Sequence, residues 1–212
     1  MIKFSQYLIE EDKKPASGGL HMFDVDDTLF HTTAKIHVVN SKTGKTVKTL
    51  DNKEFNTHTL PPGHHYDFHE FRNAEKFHKE SEPIHPMINK IKAIHANVKN
   101  KPGSKVIINT ARADFDNKNR FLDKFKKHGI DIHDIHVERA GNIPGDEHPA
   151  EKKAQIVRNH LARQNYKHVS LYDDSTSNLK RLLKMKQEYP HVKFHAYHVQ
   201  PNGKTKKFTD EE

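Results

Sequence analysis

HMFDVDDTLFHT, residues 21–32, places a short apolar stretch directly before a cluster of acidic residues. The apolar lead-in has the character of a buried strand, and three carboxylates follow where that strand ends. These acidic residues are Asp24, Asp26 and Asp27. Carboxylates crowded at one point repel each other unless an opposite charge lies beside them. The stretch therefore predicts a positive partner at the end of the strand, either a cation or a basic side chain.

The composition of the 212-residue chain predicts one compact domain with a polar surface and room for a small insertion. Lys and Arg exceed Asp and Glu by 36 to 28, which gives a formal net charge of +8. Such a surplus favours polyanionic partners, namely nucleic acid, nucleotides or phosphorylated small molecules. A solvated basic surface is the alternative. Nothing in the sequence fixes an oligomeric state.

The absence of cysteine excludes disulfides, thiolate metal sites and cysteine nucleophiles. It fits a reducing compartment, so we expect a cytoplasmic location. No apolar run approaches the roughly 18–20 residues that span a bilayer. The N-terminus also lacks the apolar core of a signal peptide. We therefore expect no membrane partner.

The later part of the chain alternates between helical and strand patterns. The predicted helices cover residues 86–97, 117–128, 149–163 and 176–188, and the predicted strands cover residues 105–110, 132–137, 168–173 and 192–199. Strands separated by single helices imply crossover connections and parallel pairing. The sequence therefore predicts an α/β fold with a doubly wound, mainly parallel sheet.

The remaining segments are assigned by composition. Polar and glycine-containing stretches predict a leader and linker at residues 1–19, a main domain at 20–200 and a polar C-terminal tail at 201–212. An insertion at about residues 31–85 follows the first strand. Within it, residues 35–50 predict two strands around a turn at Thr43 and Gly44, and residues 51–85 look irregular.

Polar side chains follow several of the predicted strands. They are Asp24, Asp26 and Thr28 after the first, Thr110 and Arg112 after the next, Arg139 after the third, and Asp173 and Asp174 after the fourth. In an open parallel sheet, ligands bind beyond the carboxyl ends of the strands. If the strands are neighbours, the two acidic clusters converge on one point. Carboxylate oxygens without cysteine suit a hard ion, and Mg²⁺ first.

At these residues the sequence resembles the haloacid dehalogenase (HAD) superfamily. FDVDDTLF is similar to the first motif of that family, D-x-D-x-T after an apolar strand. VIINT resembles the second motif, the lysine pair in PAEKKAQIV resembles the third, and VSLYDD resembles the fourth. The four motifs occur in the family's order over residues 20–178, which is most of the chain. The fold implied is a HAD-like Rossmannoid with a small cap insertion.

The resemblance implies a role for each matching residue. Asp24 would be the nucleophile that forms an aspartyl-phosphate, and Asp26 would be the general acid and base. Thr110 would bind a phosphoryl oxygen. Lys153 or Lys152 would neutralise charge on the phosphoryl group, and the positions of Val157 and Leu161 favour Lys153. Mg²⁺ would be held by four residues, Asp24, Asp26 (through its carbonyl), Asp173 and Asp174. The expected activity is that of a phosphoric monoester hydrolase.

The substrate stays open between two classes. The insertion is too small for a full helical cap, which leaves room for a bulky substrate or a polymer end. Arg112 and Arg139 could clamp a second phosphate or a nucleic-acid backbone, or form surface ion pairs. Their placement with the double aspartate resembles the phosphatase domain of polynucleotide kinases. The candidates are therefore a nucleotide or other small phosphomonoester, and a 3′-phosphate on DNA or RNA.

Two further readings concern other classes of protein. A phosphoacceptor receiver domain also uses an aspartate cluster with a strand-end Thr and Lys, but its double acidic motif ends the first strand, whereas here it comes last.

The segment MIKFSQYLIEE resembles the leader of some tailed-phage proteins that are packaged into the head and trimmed after Leu-x-Glu, which Leu8, Ile9 and Glu10 match. The resemblance implies a bacteriophage protein in the host cytoplasm or virion; a surface helix is the alternative.

Overall fold

The computed structural model describes residues 18–145 and 147–209. Residues 1–17 of the predicted leader, which include the proposed trimming site at Leu8 to Glu10, lie outside the described residues. Gly18 and Gly19 were assigned to the linker but are the first residues of a strand. A Cβ on Gly18 would lie 2.1 Å from the backbone of Gly103, and one on Gly19 would lie 2.1 Å from the ring of His168. Both glycines are therefore explained by close packing rather than by flexibility.

Eleven strands and six α-helices make up the described fold. The strands are β1 (Gly18–Phe23), β2 (Phe30–His31), β3 (Ile36–Asn40), β4 (Thr46–Leu50), β5 (His64–Asp67), β6 (Glu82–Pro83), β7 (Lys105–Thr110), β8 (His136–Arg139), β9 (Tyr166–Asp173), β10 (Lys193–Val199) and β11 (Thr205–Phe208). The helices are α1 (Asn52–Phe55), α2 (Ala74–Glu80), α3 (His85–Val98), α4 (Lys118–Lys127), α5 (Pro149–Arg163) and α6 (Thr176–Lys184). In the described part of the chain, no helix is long and apolar enough to cross a bilayer.

The main sheet has six strands in the order β11-β10-β9-β1-β7-β8. All pairs are parallel except β10 with β11. Side chains of β1 alternate between its faces: Leu20 and Met22 pack with residues of α5 and α6, whereas Phe23 packs with residues of α3 and α4. Helices therefore cover both faces of the sheet, which confirms the predicted doubly wound α/β fold.

The insertion after β1 is a small antiparallel unit, as predicted. Strands β4, β3 and β5 form a three-stranded sheet, and the short pair β2 and β6 lies where the chain leaves and re-enters the main domain. The insertion has its own apolar cluster, which includes Ile36, Val38, Leu50 and Phe71. Residues 51–85 are more regular than expected. Asp51 and Glu54 form a capping box on α1, and the Asn73 side chain caps α2.

Three predictions differ from the structure by more than two residues, and the other helix and strand boundaries agree within two. The strand expected at residues 132–137 is β8 at His136–Arg139, because the Asp131 carboxylate accepts the His133 N–H and a turn precedes the strand. Helix α6 ends at Lys184 instead of continuing to residue 188. The segment predicted as a polar tail contains β11, whose Phe208 packs into the core and whose edge position suits its lysines.

Candidate functional site

The two acidic clusters meet because β1 and β9 are parallel neighbours. The Asp24 N–H donates to the Tyr172 carbonyl at 3.0 Å, which extends the pairing past the end of β1. Asp173 is the last residue of β9, and Asp174 follows it. One carboxylate oxygen from each of Asp24, Asp173 and Asp174 lies within 4.8 Å of the others. Residues about 150 positions apart therefore form one acidic group at the carboxyl edge of the sheet.

Lys153 supplies the positive partner that the first stretch predicted. Its Nζ donates to Asp24 Oδ1 at 2.6 Å and to Asp173 Oδ2 at 2.7 Å. Lys153, Asp24 and Asp173 are all buried. The other candidate, Lys152, points elsewhere and donates to the Gly145 carbonyl at 2.7 Å. The geometry therefore places Lys153, and not Lys152, between the carboxylates.

The electrostatics of the group show that one lysine does not balance it. Burial raises the pKa of Asp24 to about 7; Lys153 works against this, whereas Asp173 and Asp26 add to it. Burial also raises the pKa of Asp174, together with repulsion from Asp173, Asp24 and Asp27. Burial would lower the pKa of Lys153, but Asp173 and Asp24 raise it above its ordinary value. The raised pKa values mean that, without a further cation, Asp24 and Asp174 bind protons more readily than ordinary aspartates do.

A divalent cation fits this donor set. Three carboxylates within ligand distance of one another, without cysteine or histidine among them, match the preference of Mg²⁺ for oxygen ligands. Lys153 takes only one oxygen of Asp24, which leaves the other Asp24 oxygen and the Asp174 carboxylate for an ion, whereas Asp173 accepts further hydrogen bonds from its neighbours. The cluster could therefore hold a hard metal ion.

Neighbouring polar groups orient the Asp173 carboxylate and the backbone at Asp174. Asp173 Oδ1 accepts the Ser175 N–H and the Asn178 side-chain amide, both at 2.9 Å. Thr28 Oγ1 accepts the Asp174 N–H at 3.1 Å and so joins the loop after β1 to the loop after β9. Asp27 adopts a left-handed backbone with φ of 56°, so it shapes the turn that brings Thr28 into place.

Asp26 lies beside the group and is held by Arg112. The Arg112 Nη2 donates to Asp26 Oδ1 at 2.6 Å, and its Nε donates to Asp26 Oδ2 at 2.9 Å. The same guanidinium donates to the Phe71 carbonyl and lies over the rings of Phe71 and Phe77. Arg112 is only 3% exposed. In this structure its guanidinium is paired with Asp26 below the surface, so it forms no surface ion pair; its role as a phosphate clamp stays a prediction.

Thr110 and Arg139 occupy different surroundings. Thr110 is buried at the end of β7, and its Oγ1 accepts the Arg112 N–H at 3.2 Å while its own proton remains available. Arg139, at the end of β8, pairs with Asp114 and lines a smaller, separate pocket. The structure thus places Thr110 at the carboxyl edge of the sheet, on the strand next to β1, and pairs the Arg139 side chain with Asp114.

A cleft of about 810 Å³ opens over the acidic group. One wall is formed by the sheet edge, with Asp24, Asp26 and Asp174, and the opposite wall comes from the insertion. Four of the insertion residues on this wall carry aromatic rings: Phe55, Tyr66, Phe68 and Phe71. The other insertion residues that line the cleft are Ile36, Asn52, Asn56, Leu60, Asp67, His69 and Arg72. The cleft is therefore acidic at its floor and aromatic along one side.

Two residues of the site were missed from the sequence. Asn178 bonds both oxygens of Asp173, and Asn109 donates to the Lys153 carbonyl and so helps to position α5. Asn178 lies five positions after Asp173, in the first turn of the predicted helix. A polar side chain so close to the double aspartate could have indicated that it belongs to the site. Asn109 precedes Thr110 in a buried strand, where an amide is unusual.

The chain matches none of the protein-family models, curated proteins or solved structures with which it was compared. The fold and the site therefore define only a class, a Rossmann-like α/β domain with a buried aspartate and lysine group suited to a metal ion.

Proposed function

We propose that this chain is a Mg²⁺-dependent phosphomonoester hydrolase that acts through an aspartyl-phosphate on Asp24. The observation that carries the proposal is the group of Asp24, Asp173 and Asp174, with the Lys153 Nζ bonded to the first two, at the base of a cleft. The proposed substrate is a nucleotide or another small phosphomonoester. The order of the four HAD-like motifs supports the same assignment.

In the proposed reaction, an Asp24 carboxylate oxygen attacks phosphorus in line with the leaving alcohol. The bond from phosphorus to the leaving oxygen breaks, and Asp26 gives that oxygen a proton. Water then attacks the aspartyl-phosphate, Asp26 takes the proton from the water, and inorganic phosphate leaves with Asp24 restored. Each carboxylate oxygen of Asp26 has two lone pairs, so it can contact substrate while Arg112 holds its orientation.

The other residues act by charge and position. Lys153 neutralises negative charge on the phosphoryl group and fixes Asp24 and Asp173. The Thr110 hydroxyl donates its proton to a phosphoryl oxygen. Mg²⁺, held by Asp24, Asp173, Asp174 and the Asp26 carbonyl, would supply positive charge that screens the carboxylates and polarises the phosphate.

A polynucleotide 3′-phosphatase is the second candidate. It is favoured by the net charge of +8 and by the small insertion, which leaves a cleft of about 810 Å³ open to solvent at the site. DNA or RNA ends need such access, whereas a closed cap would exclude them.

The test is a phosphatase screen with Mg²⁺ on nucleoside monophosphates, sugar phosphates, and oligonucleotides phosphorylated at the 3′ or the 5′ end. We expect Asp24→Asn to lower kcat more than about a thousandfold, as expected for loss of a covalent nucleophile. Asp27→Asn is the matched control: asparagine tolerates the left-handed backbone and can still accept the Asn52 amide hydrogen bond, so activity should stay within a few-fold. A folded wild-type protein that hydrolyses none of these substrates, or an active Asp24→Asn variant, would contradict the proposal.

A further inference from the structure

An aromatic group lies on the side of the insertion that faces the acidic site. Phe55 packs edge to face on Tyr66, with centroids 4.9 Å apart, and on Phe68, with centroids 5.5 Å apart. Phe68 also contacts the ring of Phe71 at 6.3 Å. All four rings line the cleft that contains Asp24 and Asp26. The carboxylates and the rings therefore belong to one continuous surface.

Phe68 is the one ring of these four that lies outside the apolar cluster of the insertion. Phe55, Tyr66 and Phe71 belong to, or pack on, the apolar cluster of the insertion. Phe68 is 41% exposed: its ring packs against Phe55 and Phe71, and part of the side chain stays open at the cleft. An exposed phenylalanine on its own is ordinary. Here it is a ring that lines the proposed substrate cleft.

A basic group accompanies the rings on the same wall. Arg72 lines the cleft and is exposed, and among the residues that the structure describes its guanidinium has no ion-pair partner. By contrast, the guanidinium of Arg112 is fully engaged with Asp26 and Phe71. The wall thus offers a partly exposed aromatic ring and a guanidinium that has no ion-pair partner among the described residues, and these complement a base and a phosphate respectively.

We propose that this wall binds a nucleobase, which stacks on Phe68 while the attached phosphate lies at Asp24; this inference rests on the phosphatase function proposed above. Sugar phosphates offer no aromatic face to Phe68 and therefore gain nothing from it. The substrate class is then nucleotidic, either a free nucleotide or the end of a nucleic-acid strand. In the second case Arg72 binds the phosphodiester of the adjoining residue.

Binding can be tested without catalysis, because the chain contains no tryptophan. Phe68→Trp places a single indole at the proposed stacking position. We expect its fluorescence to be quenched, with saturation, by adenosine monophosphate but not by ribose 5-phosphate. Saturable quenching supports a base site even if the protein hydrolyses nothing. Absence of saturable quenching by any nucleotide or short oligonucleotide would overturn the proposal.

Kinetics supply the second measurement. Phe68→Ala should raise KM for nucleotidic substrates about tenfold, as expected for the loss of one stacked ring, with little change in kcat or in hydrolysis of ribose 5-phosphate. Val47→Ala is the matched control, since Val47 is 55% exposed on β4 and does not line the cleft. Equal losses on nucleotides and on ribose 5-phosphate would overturn the base site and leave the phosphatase function standing.

The variant Arg72→Ala tests whether the bound base belongs to a free nucleotide or to the end of a nucleic-acid strand. If the substrate is a nucleic-acid end, this variant should raise KM for a phosphorylated oligonucleotide several-fold and leave mononucleotides unchanged. An effect on both substrates, or on neither, assigns the site to free nucleotides. If the wild-type protein shows no phosphatase activity while Phe68→Trp is still quenched, the proposed chemistry fails and the base site remains.

Discussion

Arg112 donates a hydrogen bond to each carboxylate oxygen of Asp26, from Nη2 to Oδ1 at 2.6 Å and from Nε to Oδ2 at 2.9 Å. A planar guanidinium with two parallel hydrogen bonds fixes both the position and the plane of a carboxylate. Arg112 is itself fixed by the Phe71 carbonyl and by the rings of Phe71 and Phe77. The insertion and the loop after β7 thus position together the residue proposed as general acid and base.

The first prediction concerns this pair. Asp26→Asn should lower kcat by about 100-fold or more, the usual contribution of a general acid. Arg112→Met should lower kcat to a similar extent with little change in KM, because it acts through Asp26. The double variant should then be no worse than Asp26→Asn alone, which a double-mutant cycle on kcat measures. Arg112→Met should also cost about 3–5 kcal/mol in stability, because Asp26 loses its partner.

The competing view of Arg112 gives the opposite result. If Arg112 bound a substrate phosphate, Arg112→Met would raise KM, and its effect would add to that of Asp26→Asn. Arg112→Lys serves as the conservative control, since it keeps the charge and loses the paired hydrogen bonds. Full recovery of kcat in Arg112→Lys would show that charge, and not geometry, is what Asp26 requires.

The second prediction separates the two adjacent lysines. Lys153→Met leaves the buried carboxylates of Asp24 and Asp173 without their cation. It should therefore cost about 3–5 kcal/mol in the free energy of unfolding and abolish hydrolysis. Lys152→Met, the matched control one position away, loses a single hydrogen bond to Gly145 and should cost about 1 kcal/mol or less. Urea unfolding and kcat of both variants check this, and a larger loss in Lys152→Met would refute the assignment.

The position of the acidic group could be predicted from the sequence because a sheet with crossover helices has few possible topologies. A parallel sheet puts the carboxyl ends of its strands at one edge, so Asp24 and Asp173 had to meet if β1 and β9 were neighbours. The choice of Lys153 followed from helical spacing, since Val157 and Leu161 lie four and eight positions further on and both are buried in the core. Periodicity and topology were sufficient for these residues.

The environment of Arg112 could not be predicted in the same way. Asp26 lies 86 residues away in sequence, and the Phe71 carbonyl belongs to the insertion. Residues 51–85 have no regular apolar period, because this segment is organised by caps such as Asp51 and Asn73 around a small core. The same irregularity hid the aromatic wall, whose rings come from α1, from β5 and from the short helical turn that follows β5. Tertiary contacts, not local patterns, determine this part of the site.

The third prediction concerns metal binding in the absence of substrate. Mg²⁺ at one hundred times its Kd should raise the free energy of unfolding by about 2.7 kcal/mol. Asp174→Asn removes one ligand and one of three mutually repelling carboxylates. Without Mg²⁺ this variant should therefore be as stable as the wild type or more stable, and the stabilisation by Mg²⁺ should be smaller.

Thermal unfolding with and without Mg²⁺ measures both effects. Asp123→Asn is a suitable control, because Asp123 is an exposed carboxylate on α4 that pairs only loosely with Lys126, at 3.6 Å. Its response to Mg²⁺ should equal that of the wild type. An undiminished Mg²⁺ effect in Asp174→Asn would show that the ion binds elsewhere.

The fourth prediction concerns the stability of the insertion at low pH. Burial would raise the pKa of Glu70, but hydrogen bonds from Lys76, His37 and the Lys35 N–H lower it to about 2. Because this value lies below the ordinary 4.5, the folded protein binds fewer protons than the unfolded chain in this range. The stabilisation from Glu70 is therefore complete above pH 4.5 and is lost as the pH falls towards 2. Glu70→Gln should make stability less dependent on pH within that window.

Glu75 provides the matched comparison. Hydrogen bonds from Arg120 and Lys79 lower the pKa of Glu75 to about 2 as well, but its side chain is 48% exposed, whereas that of Glu70 is 18% exposed. Salt at about 1 M shortens the Debye length to about 3 Å and screens exposed pairs far more than partly buried ones. Urea midpoints between pH 5 and 2 should therefore differ between wild type and Glu70→Gln at both low and high salt. The difference in urea midpoint between wild type and Glu75→Gln should disappear at high salt. If the difference for Glu70→Gln disappears as well, the Glu70 carboxylate is screened as strongly as a surface carboxylate and the prediction is wrong.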